Sequence, residues 1–189
     1  MKTIIGLPLI IMGSTLLHAG GINVIHLGPQ DVIKFQVSAE GASQEFDLAH
    51  AEVTGPFILP EKNATIKAIG KELPDLEIPA TDKNQLAILA PGPEGYKWQL
   101  QPSQPTEEKW GFRVINLSSE TAKLLQKGGG ISEILAGTDT IIEVNKSAQI
   151  SVKIQDSIKK SYEGDEPCAV VALLYRENNE WQILFVQDH

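Results

Sequence analysis

Apolar residues in this chain recur in short runs, not in the longer periodic stretches of helices. The runs are rich in Val, Ile and Leu, and turn residues such as Gly28-Pro29 and Gly55-Pro56 separate them. Within residues 32–37, Ile33, Phe35 and Val37 lie on one side of an extended chain, so this segment is predicted to turn one face to the core and one to water. Strands are predicted at 22–27, 32–37, 57–59, 64–69, 85–89, 96–101, 112–117, 140–144, 148–154, 169–175 and 180–186.

This spacing of short strands and turns predicts an all-β fold, an immunoglobulin-like antiparallel β-sandwich. One segment carries helix signals. Residues 118–128 begin with Ser, have an early Glu and a late Lys, and end at Gly128. The corresponding segment earlier in the chain, 29–37, has a strand pattern, so a strand or a single helical turn is the preferred interpretation.

Two halves of the chain resemble each other. Residues 22–27 (INVIHL) match 112–117 (FRVINL), and 96–100 (YKWQL) match 179–183 (NEWQI), at nearly equal separations. We interpret this as a diverged internal duplication, against the alternative of chance similarity between β-rich segments. The predicted organisation is a signal peptide at 1–20, an N-terminal β-half at 21–101, a connector at 102–109 and a C-terminal β-half at 110–189. The chain forms either one sandwich or two packed, duplicated halves.

The N-terminus indicates export. Met1-Lys2-Thr3 precedes an apolar run that reaches Leu17 and ends in the small-residue exit His18-Ala19. This order is typical of a secretory signal peptide, and the run is too short and too interrupted for a membrane-spanning helix. The predicted location is the periplasm or the cell surface, with no transmembrane anchor in the mature chain.

The net charge and the cysteine content limit the classes of partner and the disulfide bonds that this chain can have. The formal net charge is −8, and removal of Lys2 with the signal leaves 15 basic against 24 acidic residues. Nucleic acid is therefore a poor partner for this surface. Cys168 is the single cysteine, which excludes an intramolecular disulfide.

No catalytic signature is recognisable, so the protein is predicted not to be an enzyme and to need no cofactor or metal. The G-x-S-x-G pattern of a nucleophile elbow is absent from the sequence. His26, His50 and His189 are not spaced as a metal-binding pair, and a structural or surface role is the preferred interpretation for His26 and His50.

Aromatic residues supply candidate contacts. Tyr96 and Trp98 are two apart on a predicted strand, so their rings lie on one face, and Trp110 at the connector would extend it. Exposed rings hold sugars by stacking. The competing interpretation places Trp98 and Trp181 at equivalent positions of the two halves, as core residues. Candidate contact loops are 38–44, 91–95, 127–130 and 156–166.

Several short strings together resemble a known family. They are VIHLGPQD at 24–31, GPFILP at 55–60, FRVINLS at 112–118 and LFVQD at 184–188. The chain resembles small secreted β-proteins of Verrucomicrobia-type bacteria, including mucin-dwelling Akkermansia. The resemblance implies an immunoglobulin-like sandwich and an envelope setting, and some members resemble components encoded near pilus and secretion genes.

The functional expectation is an exported, non-enzymatic protein of the bacterial envelope that acts through protein–protein contacts, as an accessory of pilus assembly or host interaction. Its predicted partners are envelope or pilus proteins, with self-association as a further option. The alternative is a carbohydrate-binding module that recognises mucin or envelope glycans through Tyr96, Trp98 and Trp110.

Overall fold

The computed structural model describes residues 20–58, 63–92, 94–102, 111–126, 131–143, 149–154, 158–163 and 169–188. Within these ranges the regular elements are all β-strands, which confirms the all-β prediction. No helix able to cross a membrane occurs among these residues. The strands are β1 (Gly21–His26), β2 (Ile33–Ala39), β3 (Ala42–Leu48), β4 (Glu52–Ile58), β5 (Ala64–Ala68), β6 (Leu76–Ile78), β7 (Gln85–Gly92), β8 (Gly95–Pro102), β9 (Gly111–Asn116), β10 (Ala122–Gln126), β11 (Ile131–Ile134), β12 (Asp139–Glu143), β13 (Gln149–Ile154), β14 (Ile158–Glu163), β15 (Ala169–Glu177) and β16 (Glu180–Asp188).

The chain divides into two compact units, with the main boundary between Ser103 and Gln104. In the first unit one sheet has the strand order β4-β1-β7-β8 and the other has the order β3-β2-β5-β6. The second unit contains sheets ordered β12-β9-β15-β16 and β11-β10-β13-β14. Adding eight to each strand number of the first unit reproduces the second, so both units have the same topology.

The core of the first unit lies between its two sheets. Ile33, Phe35 and Val37 of β2 are buried there, whereas Lys34 between them is exposed. The predicted alternation along this strand is therefore confirmed. The cluster joins side chains from both sheets: Ile22, Val24, Ile33, Phe35, Val37, Leu48, Phe57, Ala64, Ile66, Ile78, Ala87 and Leu89.

The central strands depart from the expected antiparallel pairing. β1 pairs with β7 in parallel, with Val24 opposite Ala87, and β9 pairs with β15 in the same way. The residues between the core positions, such as Ile25 and Ile88, are also completely buried. Strands buried on both faces have nearly continuous apolar sequences, which is typical of parallel pairs.

The helix signals in residues 118–128 do not produce a helix in the described part of this segment, residues 118–126. Ala122–Gln126 forms β10, which pairs with β11 and β13. Ala122 and Leu124 point into the core of the second unit, and this burial outweighs the local signals. The preferred interpretation of a strand is confirmed.

Three of the predicted contact loops contain strand residues; in the 91–95 segment, β7 extends to Gly92 and β8 begins at Gly95. Ala42–Leu48 forms β3, which leaves only a tight turn around Gly41 in the 38–44 segment. Ile158–Glu163 forms β14 inside the 156–166 segment. Both strands are polar on at least half of their positions, so their apolar content was too low to predict them. The signal segment, Trp110, residues 127–130 and Cys168 lie outside the described residues.

Candidate functional site

β8 forms one edge of its sheet in the first unit. Among the described strands its one neighbour is β7, and the strand is eight residues long. An edge strand presents backbone N–H and C=O groups that another strand can pair with. Tyr96 and Lys97 at the start of β8 are both exposed. The candidate partner-binding site is this edge, defined as β8 with the Tyr96 ring.

Trp98 fixes this edge strand to the rest of the unit. Its ring packs edge-on against Phe35 at 5.8 Å between centroids, and it lies against the core cluster. The indole Nε1 donates a hydrogen bond of 2.7 Å to the carbonyl of Pro74, just before β6. Trp98 therefore joins the two sheets at this end of the sandwich.

The structure separates the three predicted contact residues. The Tyr96 side chain is 39% exposed, whereas Trp98 is half-buried and already engaged by Phe35 and Pro74. Trp110 lies outside the described residues. In the second unit, Trp181 is 3% exposed and belongs to the core cluster. Both tryptophans thus contact the cores of their own units.

A buried histidine links the two sheets of the first unit. His26 is the last residue of β1, points into the core and is fully buried. Its Nδ1 donates a hydrogen bond of 3.1 Å to the carbonyl of Leu48, the last residue of β3 in the facing sheet. This bond is called the first clasp below. Because a carbonyl only accepts, Nδ1 carries the ring proton.

The second unit has an asparagine at the equivalent place. Asn116 ends β9, is fully buried and donates from Nδ2 to the carbonyl of Ile134, 3.0 Å away at the end of β11. This bond is called the second clasp. Asn116 Nδ2 also lies within 2.7 Å of the Glu120 carbonyl and 3.2 Å of the Leu135 carbonyl. The two units thus use different residues for one structural task.

The residue two positions later differs in a complementary way. Gly28 lies so close to the His26 ring that a Cβ there would be 3.0 Å from Nε2. In the second unit this position is Ser118, whose hydroxyl donates 2.8 Å to Asn116 Oδ1. A large ring is paired with glycine, and a small amide with serine. The residue two positions after each clasp residue thus fits the size of that clasp residue.

His50 ties the same region from the other side. Its Nδ1 donates 2.9 Å to the carbonyl of Gly28, and its ring lies 6.0 Å from the His26 ring. Residues 24 apart in the sequence are therefore neighbours, although their spacing matches no local motif. The sequence indicated His26 only through its position near the end of the segment 22–27, which matches 112–117.

Burial lowers the pKa of His26 below its ordinary value. The nearby His50 lowers it further, whereas the hydrogen bond to Leu48 opposes the shift. His26 Nε2 has no hydrogen-bond partner among the described residues. Protonation would place a second N–H in that apolar position, so the neutral ring is the form that fits.

A buried arginine in the second unit also serves the fold. Arg113 is 7% exposed and its Nε donates to Asp139 at 2.7 Å, within one sheet. No group of three or more His, Cys, Asp or Glu suited to a metal ion occurs in the described part of the chain. No protein-family model and no curated protein matches this chain.

Proposed function

We propose that this is an exported, non-enzymatic protein of the bacterial envelope that acts through protein–protein contacts at the β8 edge. The single observation that supports the proposal is an eight-residue edge strand anchored to the opposite sheet by Trp98. The N-terminal apolar run supports export, and the resemblance to secreted proteins of the immunoglobulin-like class supports an envelope setting.

Strand addition is the mode of contact that fits this edge. A partner segment pairs with backbone groups of the edge strand, while side chains on alternate positions supply specificity. Tyr96 and Lys97 present one exposed ring and one positive charge at the start of β8. The partner is therefore an extended segment with an acidic residue that meets Lys97 and an apolar residue that meets Tyr96.

Trp98 organises the β8 edge before a partner binds. Trp98 is held by a hydrogen bond to Pro74 and by contact with Phe35, and these contacts restrict the conformations open to β8. Ordering costs on binding are reduced when a surface is organised beforehand. A pilus or secretion component with an extended terminal segment is the class of partner proposed.

Photocrosslinking from a single position tests this proposal. A benzoyl-phenylalanine placed at Lys97 in the native host should form one adduct with an envelope protein. The matched control places the same group at Glu180, the exposed residue before Trp181 in the second unit. An adduct from 97 but not 180, with slowed amide exchange in β8 of the recovered complex, is expected. Equal adducts from both positions, or none from 97, would refute the edge as the binding site.

Glycan binding is the second candidate, and the exposed Tyr96 ring is the observation that favours it. Binding of the purified protein to mucin or envelope glycans on an array is the measurement. Loss of that binding in Tyr96→Ala, without loss in Lys97→Ala, would support a sugar platform. Array signals that persist in Tyr96→Ala would count against it.

A further inference from the structure

The two clasps perform one task with side chains of different chemistry. The imidazole of the first clasp is a titratable group, whereas the amide of the second clasp does not titrate. The turn beside each clasp has an equivalent backbone hydrogen bond. Glu52 N donates 3.2 Å to Ala49 O in the first unit, and Thr138 N donates 3.2 Å to Leu135 O in the second.

The turn at 49–52 depends on the first clasp through several bonds. Ala51 N donates 2.7 Å to the His26 carbonyl, and His50 Nδ1 donates to the carbonyl of Gly28. His26 itself holds Leu48, the residue directly before the turn. Displacement of the imidazole would release the turn and the segment after β1 together.

We propose that His26 is an acid-sensitive latch that opens the 27–31 and 49–52 loops of the first unit below neutral pH and leaves the equivalent loops of the second unit closed. Protonation creates a buried charge and an Nε2–H whose position has no acceptor among the described residues. Opening to water relieves both costs.

The charged and titratable groups near His26 are few. His50 lies beside the ring and opposes a second positive charge. Asp31 favours the charged form of His26, but Asp31 is already bound to Lys71 at 2.8 Å. The Glu52 carboxylate accepts from Ala49 N at 2.9 Å. The neighbouring strands contribute apolar core residues: Phe35, Leu48 and Leu89.

Amide hydrogen exchange of the full chain, measured by NMR between pH 7 and pH 5, tests the latch with an internal control. After correction for intrinsic rates, protection of Glu52 should fall relative to protection of Thr138 by up to about 30-fold at pH 5, the limit set by the ordinary His pKa of 6.5. The Leu27 and Leu117 amides form a second matched pair, since each donates 2.8 Å to the parallel neighbour. An equal loss of amide protection in both units would overturn the proposal.

A substitution taken from the second unit separates the latch from general acid sensitivity. The double variant His26→Asn with Gly28→Ser reproduces the Asn116 and Ser118 pair and should abolish the difference between Glu52 and Thr138. A persistent difference in that variant would overturn the assignment to His26. If the variant fails to fold, the exchange comparison within the wild-type chain still decides the outcome.

Discussion

The turns that follow β3 and β11 differ at one informative position. Ala51 has a φ of 60°, and the equivalent residue Gly137 has a φ of 68°. Left-handed backbone is unfavourable for residues with a Cβ and open to glycine. Exchange of these two residues between the turns is therefore predicted to change the stability of the two units in opposite directions.

The magnitude follows from two opposing terms. The left-handed conformation costs a non-glycine residue about 1–2 kcal/mol. Glycine loses about 0.4–1 kcal/mol more than alanine when the unfolded chain is ordered. A Cβ at Gly137 would meet no heavy atom within 4 Å, so no steric term is added there. Ala51→Gly should stabilise the first unit by about 0.5–1 kcal/mol, and Gly137→Ala should destabilise the second by a similar amount.

Urea unfolding followed by circular dichroism measures both effects. Ala136→Gly is the matched control, because this exposed neighbour of Gly137 is not among the residues with positive φ. Its replacement should destabilise the protein by about 0.4–1 kcal/mol through the unfolded chain alone. A loss of stability in Ala51→Gly, or a gain in Gly137→Ala, would refute the reasoning from backbone conformation.

Three further predictions concern buried polar groups and aromatic anchors. In urea unfolding, Asn116→Ala should lower the free energy of unfolding by about 1–3 kcal/mol, because the carbonyls that its amide contacts lose their donor. Asn116→Asp should not restore the lost stability, because an ionised carboxylate cannot donate a hydrogen bond. By the same assay, Trp98→Ala should lower the free energy of unfolding by about 3–5 kcal/mol and Tyr96→Ala by less than about 1 kcal/mol. Similar losses in the two variants would contradict the role of Trp98 as an anchor. Because the folded pKa of His26 is depressed, the unfolded chain binds the proton first, and stability should fall as pH drops below about 6.5. His26→Asn should show a shallower fall in thermal unfolding between pH 7 and pH 5, and an unchanged slope would exclude His26 as its source.

The two clasps show how two units of the same topology satisfy an equivalent backbone carbonyl with different side chains. His26 and Asn116 both donate to the carbonyl that ends the third strand of their unit. The smaller residue, Gly28, lies beside the larger His26 ring, and the larger residue, Ser118, lies beside the smaller Asn116 amide. A buried carbonyl must be satisfied, but several donors can satisfy it. At this position the first unit has a titratable side chain, His26, whereas Asn116 in the second unit does not titrate.

The strands and their buried faces could be predicted from the sequence because alternation is a local property. Phe35 and its neighbours on β2 show the period of two directly, and burial follows. The matched segments at 22–27 and 112–117 likewise pointed to repeated β-halves. The polar strands β3 and β14 were missed because their patterns carry little apolar signal, and the short strands β6 and β11 were missed as well.

Only the tertiary structure decided which strands are neighbours and which side chains meet. Ile22 pairs in parallel with Gln85, and no local pattern specifies a partner so distant in the chain. The same pairing and the facing sheet bring His26 to Leu48 and His50, and place Trp98 against Phe35. Pattern along a strand determines what is buried, whereas the packing of distant strands determines what each buried group touches.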